Sequence, residues 1–141
     1  MKKPKRILVA LKSTEQAIEL TDIACRLAAQ GASLWIVNVI ELPPATPLDA
    51  PVKDLEDDAK LILKTAERVA KSSRLKVSTL VLRAHWAGDA LLDEIKEKKI
   101  ELAILGYHHR RSFEEVLLGT VAQHVSKNAP CNVLLRIPPK K

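Results

Sequence analysis

Hydrophobic residues along this chain recur with two different periods, and the periods alternate. Short continuous apolar runs occur at Ile7–Leu11, at about 33–40, at 77–82, at 101–105 and at 132–136. Unbroken apolarity over five to eight residues predicts strands covered on both faces, not half-exposed ones. Between the runs the spacing lengthens to three and four. Ala17, Leu20, Ala24, Leu27 and Ala28 form one such set, and Leu55, Ala59, Ile62, Ala66 and Val69 a second. Both predict helices with one buried stripe. A shorter helix is expected over 90–98 and another over 120–128.

The polar residues that punctuate these segments agree with the assignment. Ser13 and Gln16 have capping-box spacing at the first helix, and Gln30-Gly31 stops it. Thr120 and Gln123 repeat that spacing and set the start of the last helix. Residues 41–51, "ELPPATPLDAP", hold four of the eight prolines and read as a surface loop.

Strand and helix therefore alternate through five strands, with no internal repeat and no linker. This predicts an α/β fold of one domain over residues 1–141, an open five-stranded parallel sheet with helices on both faces. Right-handed crossovers favour the order 3-2-1-4-5, with the most apolar strand, the first, in the centre.

Composition narrows the picture only in places. The chain has 141 residues, 47% of them hydrophobic and 28% charged, as in a soluble globule. Its four aromatics, Trp35, Trp86, Tyr107 and Phe113, are too few for a platform that stacks single-stranded nucleic acid. The net charge is +6, clustered at residues 2–6, 96–99, 110–111 and 140–141, whereas 49–58 is acidic. That pattern predicts a solvated surface without specific nucleic-acid recognition. Cys25 and Cys131 lie in apolar surroundings and read as buried free thiols of a reducing compartment. With no long apolar span or leader-like segment in the sequence, the protein is expected to be cytoplasmic.

In an open sheet of this order a ligand belongs at the carboxyl ends of the first and fourth strands, where the winding reverses. The segments leaving them are Lys12-Ser13-Thr14 and Gly106-Tyr107-His108-His109-Arg110, nearly a hundred residues apart and both basic. The helix that opens at Gly119-Thr120 adds unpaired backbone N–H groups and the positive end of a helix dipole. Gly106 and Gly119 keep side chains out of the way of an approaching ligand. These residues predict an anion site, with Lys12, His108 or His109, and Arg110 as countercharge.

Other chemistry is not expected. Adjacent His108 and His109 point apart in extended chain, and no metal-ligand spacing exists with His85 or the cysteines. The carboxylates concentrate away from the crevice, so no catalytic constellation assembles and no enzyme is predicted. Trp86 is expected to pack on a neighbouring element, and His124 to sit on a helix face.

The order Gly106, two residues, His109, nine residues, Gly119-Thr120 resembles the nucleotide motif of the universal stress protein family. "RILVAL", "GDALLDEIKEKKIELAILG" and "VAQHVSKNAPCNVLLR" are similar to that family too, so the resemblance spans about residues 5 to 136. It implies a Rossmann-like fold of the adenine nucleotide alpha hydrolase type, ATP or AMP as ligand, and adenine near Val39 and Ile40. It also implies a stress-response role and a homodimer; the apolar last strand, Val133, Leu134 and Leu135, offers an edge for pairing. Two positions depart from the pattern. His109 stands where the motif usually has glycine, and Lys12 where ATP-binding members usually carry aspartate. An ammonium there favours a bare anion over a metal-bridged contact and argues against magnesium. The alternative is an interaction module with an empty cleft, working with a membrane transporter or another partner.

Overall fold

The computed structural model describes residues 2–107 and 119–139. Among these residues five strands and four helices alternate. In chain order they are β1 (Arg6–Ala10), α1 (Thr14–Leu27), β2 (Ser33–Glu41), α2 (Lys53–Ala70), β3 (Lys76–Ala84), α3 (Ala87–Glu97), β4 (Leu102–Gly106), α4 (Thr120–Asn128) and β5 (Asn132–Arg136). A single 3-10 turn, Lys71–Ser73, follows α2. All strands are parallel, in the order β3-β2-β1-β4-β5. The expected topology is the observed one.

Burial explains why β1 is central. Ile7 and Val9 pack on one side with Leu34 and Ile36 of β2 and with Leu20 and Ala24 of α1, and α2 closes that layer through Ile62 and Ala66. Leu8 faces the other side, against Leu91, Leu92 and Ile95 of α3 and Val125 of α4. Since successive strand residues point to opposite faces, an apolar run is what a doubly covered strand requires.

Several boundaries shift from the sequence expectation. Helix α1 ends at Leu27, and Gly31 (φ 73°) turns the chain into β2 a few residues later. Strand β3 is longer than the run 77–82, and α3 begins at Ala87 instead of Ala90. In the proline-rich loop, Glu41 ends β2 and Leu42 is buried with Ile40 and Ala59. The exposed remainder is tied down by Arg83, whose guanidinium donates to the Ala50 carbonyl (2.7 Å) and to Glu56 Oε1 (2.7 Å).

The two cysteines are free but only half-buried, not enclosed as expected. Partial burial still raises both thiols above the usual range, more than the hydrogen bonds to Ser73 and to the Ala103 backbone lower them. Trp86 is 62% exposed and does not pack as expected. His124 does more than occupy a helix face: its Nε2 meets Asp89 Oδ1 at 2.7 Å and joins α4 to α3. Gly88 lets the two helices touch, because a Cβ there would lie 2.7 Å from the His124 ring.

Candidate functional site

At the carboxyl ends of the strands the helices splay and leave a cavity of about 580 Å³. Its floor is Ala10 and Leu11 at the end of β1 with Val37 and Val39 of β2. One wall is the Lys12 turn and Gln16; the other is Gly106, Tyr107 and the start of α4 at Gly119 and Thr120. The volume falls within the range of small-molecule pockets, about 300–1,000 Å³. Of the sequence-predicted site residues, Lys12, Val39, Gly106, Gly119 and Thr120 all line this one cavity. His108, His109 and Arg110 lie outside the described residues.

The turn after β1 is held by side chains. Ser13 Oγ accepts the Gln16 N–H (3.1 Å), the cap that the sequence predicts. The reciprocal arm reaches one residue further back, since Gln16 Oε1 accepts the N–H of Lys12 at 2.9 Å. Buried Asn38 donates from Nδ2 to the Leu11 carbonyl at 2.8 Å. The Leu11 N–H in turn donates to the Val37 carbonyl (2.8 Å). These bonds fix the backbone that presents the Lys12 ammonium, which is itself exposed.

The opposite wall is built differently. The N-cap of α4 is Gly119, with no side-chain hydrogen bond, so Thr120 and Gln123 do not form the expected capping box. Thr120 is the first helical residue, and the Gln123 N–H donates to the Gly119 carbonyl (3.0 Å). The first turns of α1, α2 and α3 each hold a carboxylate, from Glu15, from Asp54 and Glu56, and from Asp89. That of α4 holds none. A helix start without a side-chain acceptor leaves amide groups for an external anion.

The two glycines of the cleft differ in kind. A Cβ on Gly119 would meet nothing within 4 Å. On Gly106 it would sit 2.5 Å from Gln16 Nε2, so the space expected for a ligand oxygen is taken by the Gln16 carboxamide.

The expectation for Ile40 also changes. Its side chain is buried on the α2 side with Leu42 and Ala59, so Val39 alone of that pair lines the cavity. Conversely, a carboxylate that sequence reasoning placed away from the crevice is present. Glu41 lines the cavity, and its Oε2 accepts the N–H of Ala87 at 2.7 Å, capping α3 from another element. Gln16, Asn38 and Glu41 were missed as site residues. Their signal was polarity at positions where the periodic pattern turns inward or a strand ends. Among the described residues no group of three or more His, Cys, Asp or Glu could hold a metal ion, and no helix is long and apolar enough to cross a membrane.

Comparison with known proteins agrees with this architecture. The model of the universal stress protein family matches residues 3–136. Universal stress protein MJ0531 of Methanocaldococcus jannaschii is 26% identical over 144 residues, covering 97% of this chain and 84% of that protein. The universal stress protein of Archaeoglobus fulgidus in complex with dAMP superposes with a TM-score of 0.67 at 17% identity, covering 95% of this chain and 98% of the other. A universal stress protein family member of Arabidopsis thaliana with AMP bound gives 0.65 at 15% identity, with 96% and 93% covered.

Proposed function

The chain belongs to the universal stress protein family, and from that premise we propose that it is a cytoplasmic regulatory protein whose cleft takes an adenine nucleotide. One observation carries the reading: residues far apart in sequence, Lys12 and Gly119-Thr120, line a single cavity, and among the described residues the helix start there has no carboxylate in its first turn and no side-chain cap. An amide-rich helix start facing a cation suits a phosphate. The dAMP and AMP held by relatives of the same fold support adenine as the base.

In this reading the phosphates rest on the α4 amides, with Lys12, and from outside the described residues His108 or His109 and Arg110, as countercharge. The base lies along Val39, and the carboxylate of Glu41 accepts from the ligand's N–H or O–H groups. Lys12 replaces a metal as the charge partner, so binding does not require magnesium. The reading assigns no chemical step; the protein acts by changing what it binds.

Thermal unfolding with ATP, ADP and AMP tests this. Occupancy at 100 times the dissociation constant adds roughly 2.7 kcal/mol of stability, and chelating magnesium leaves the AMP effect intact. No shift with any of the three overturns the reading. Recovery of a transporter in a pull-down, with no nucleotide retained, would then point to the interaction module instead.

The same reading includes a second copy of the chain. Strand β5 is an edge of the sheet, and its Val133, Leu134 and Leu135 are each only half-buried. An apolar edge with open backbone groups pairs with another strand. Sedimentation gives twice the 15.6 kDa chain mass if this holds; a monomer at every concentration removes this part.

A further inference from the structure

The pole opposite the cleft is basic beyond what the fold needs. In a parallel sheet every strand starts at one end, and here the starts are level: Arg6 pairs with Ser33, Ser33 with Lys76, and Leu102 with Asn132. All four helices finish at the same end, each with a cation in its last turn, Arg26, Arg68, Lys96 and Lys127. Helix dipoles account for those four, because a C-terminal end favours positive charge. They do not account for Lys5 and Lys76 at the strand starts, or for Arg74 and Lys99 in the turns.

The turn residues are the informative ones. Among the described residues only two non-glycine positions have positive φ: Arg74 at 62° and Lys99 at 52°. Both belong to this pole. Lys99 follows the C-cap of α3, where its N–H reaches the Lys96 carbonyl and the Ile100 N–H reaches that of Ile95. This is the Schellman arrangement, whose left-handed position favours glycine. The corresponding turn into β2 does use glycine, Gly31. Where glycine would relieve the backbone, the chain keeps a long cation twice.

Of the carboxylates nearby, Glu67 and Glu97 in the last turns of α2 and α3 are exposed and form no ion pair among the described residues, so they offset part of the charge, whereas others are engaged within the fold. Glu101 Oε1 accepts the N–H groups of Lys5 and Arg6 (2.6 and 3.1 Å), Glu94 pairs with Lys98, and Asp22 pairs with Arg26 at 2.9 Å. The Arg6 guanidinium is also engaged, through the Lys98 carbonyl and the face of Trp35 at 4.8 Å. By contrast Lys5, Arg74, Lys76, Lys96, Lys99 and Lys127 are exposed and pair with no carboxylate among the described residues. Lys2 and Lys3 lead into the same surface.

We propose that this basic pole docks on an anionic phospholipid bilayer, leaving the opposite cleft facing solution. The level strand starts spread the charge over a row about 19 Å wide, from five strands about 4.8 Å apart. A row of cations at level strand starts suits a surface of headgroups, where each cation contributes separately. A nucleic-acid duplex fits less well. Among the described residues the four α-helices bring only their C-terminal ends here, so no α-helix start offers amides to phosphates and none is aimed into a groove.

Co-sedimentation with vesicles of phosphatidylglycerol and phosphatidylcholine in equal parts tests this, with pure phosphatidylcholine vesicles and a short DNA duplex as the other arms. The protein sediments with the anionic vesicles at low salt and is released as salt rises. Arg74→Gly and Lys99→Gly each lower vesicle affinity about fivefold, while the melting temperature stays equal or rises because the left-handed position is relieved. Lys53→Gln, at the start of α2 on the other pole, leaves vesicle binding unchanged. AMP binding in the cleft is unaffected by all three variants. Failure of the wild type to sediment, a double Arg74→Gly/Lys99→Gly variant that binds like wild type, or tighter binding to the duplex than to the vesicles overturns the proposal.

Discussion

On the β1 side of the cleft, the turn carrying Lys12 is bonded three ways: Ser13 to Gln16, Gln16 back to Lys12, and Asn38 to Leu11. On the α4 side, Gly119 caps a helix without any side-chain bond, and the first turn carries no carboxylate. One wall satisfies its backbone from within the protein and thereby aims a cation. The other shows no such side-chain bond among the described residues, and in the proposed reading its backbone donors meet the ligand. A pocket for an anion needs both properties: a rigid frame costs a ligand little ordering entropy, whereas donors already engaged could contribute nothing to it.

The comparison breaks most visibly at Asn38. Asn38→Ala leaves the buried Leu11 carbonyl without its donor and opens a small void, at a cost of about 2–3 kcal/mol. Urea denaturation reads that loss, and AMP affinity falls with it because the Lys12 turn loosens. A stability within 0.5 kcal/mol of wild type, the usual range for about neutral surface changes, would mean that Asn38 does not brace the turn.

A smaller effect separates Gln16 from Gly106. Gln16→Ala releases the Lys12 N–H and costs about 1–2 kcal/mol. Gly106→Ala alone costs a similar amount, about 1–3 kcal/mol, since its methyl group would press on the Gln16 carboxamide. Combined, the two are less harmful than their sum, by about 1 kcal/mol, because the crowding partner has gone. Strict additivity in the double-mutant cycle would show that the glycine serves another neighbour.

The smallest change in stability sharpens the other wall. Gly119 has φ −61°, open to any residue, and beyond its chain neighbours no atom of the described residues lies within 4 Å of an added Cβ. Gly119→Ala therefore costs under about 1 kcal/mol, the weaker cap alone. Its methyl group faces the cavity where an anion would approach the amides. AMP affinity, measured by calorimetry, falls about tenfold, or about 1.4 kcal/mol. Equal affinity in the variant would place the phosphates elsewhere.

Much of the fold was legible because the signals that specify it are local. An uninterrupted run such as Ile7–Leu11 and a three-four spacing such as that of α2 each reflect how one segment meets its surroundings. Handedness then leaves few arrangements for the segments. The convergence of Lys12 with Gly119 and Thr120 was legible for the same reason, since strand order fixes which turns share a crevice. Errors arose where a residue's partner is distant in sequence. The spacing of Thr120 and Gln123 looks like that of Ser13 and Gln16, but only the latter pair makes the cap. Glu41 reads as loop polarity until β2 and the start of α3 are placed side by side.

By itself, then, the sequence determined the α/β alternation, the central place of β1 and which turns would line one crevice at the strand ends. Only the tertiary structure decided which of the neighbouring polar groups are already engaged: Gln16 against Gly106, Asn38 under the Lys12 turn, and Glu101 across the amides of Lys5 and Arg6. The reason is physical. Periodicity records how each segment partitions between core and water, but a hydrogen bond exists only at a particular distance and direction, and those are set by elements that meet after the chain has folded.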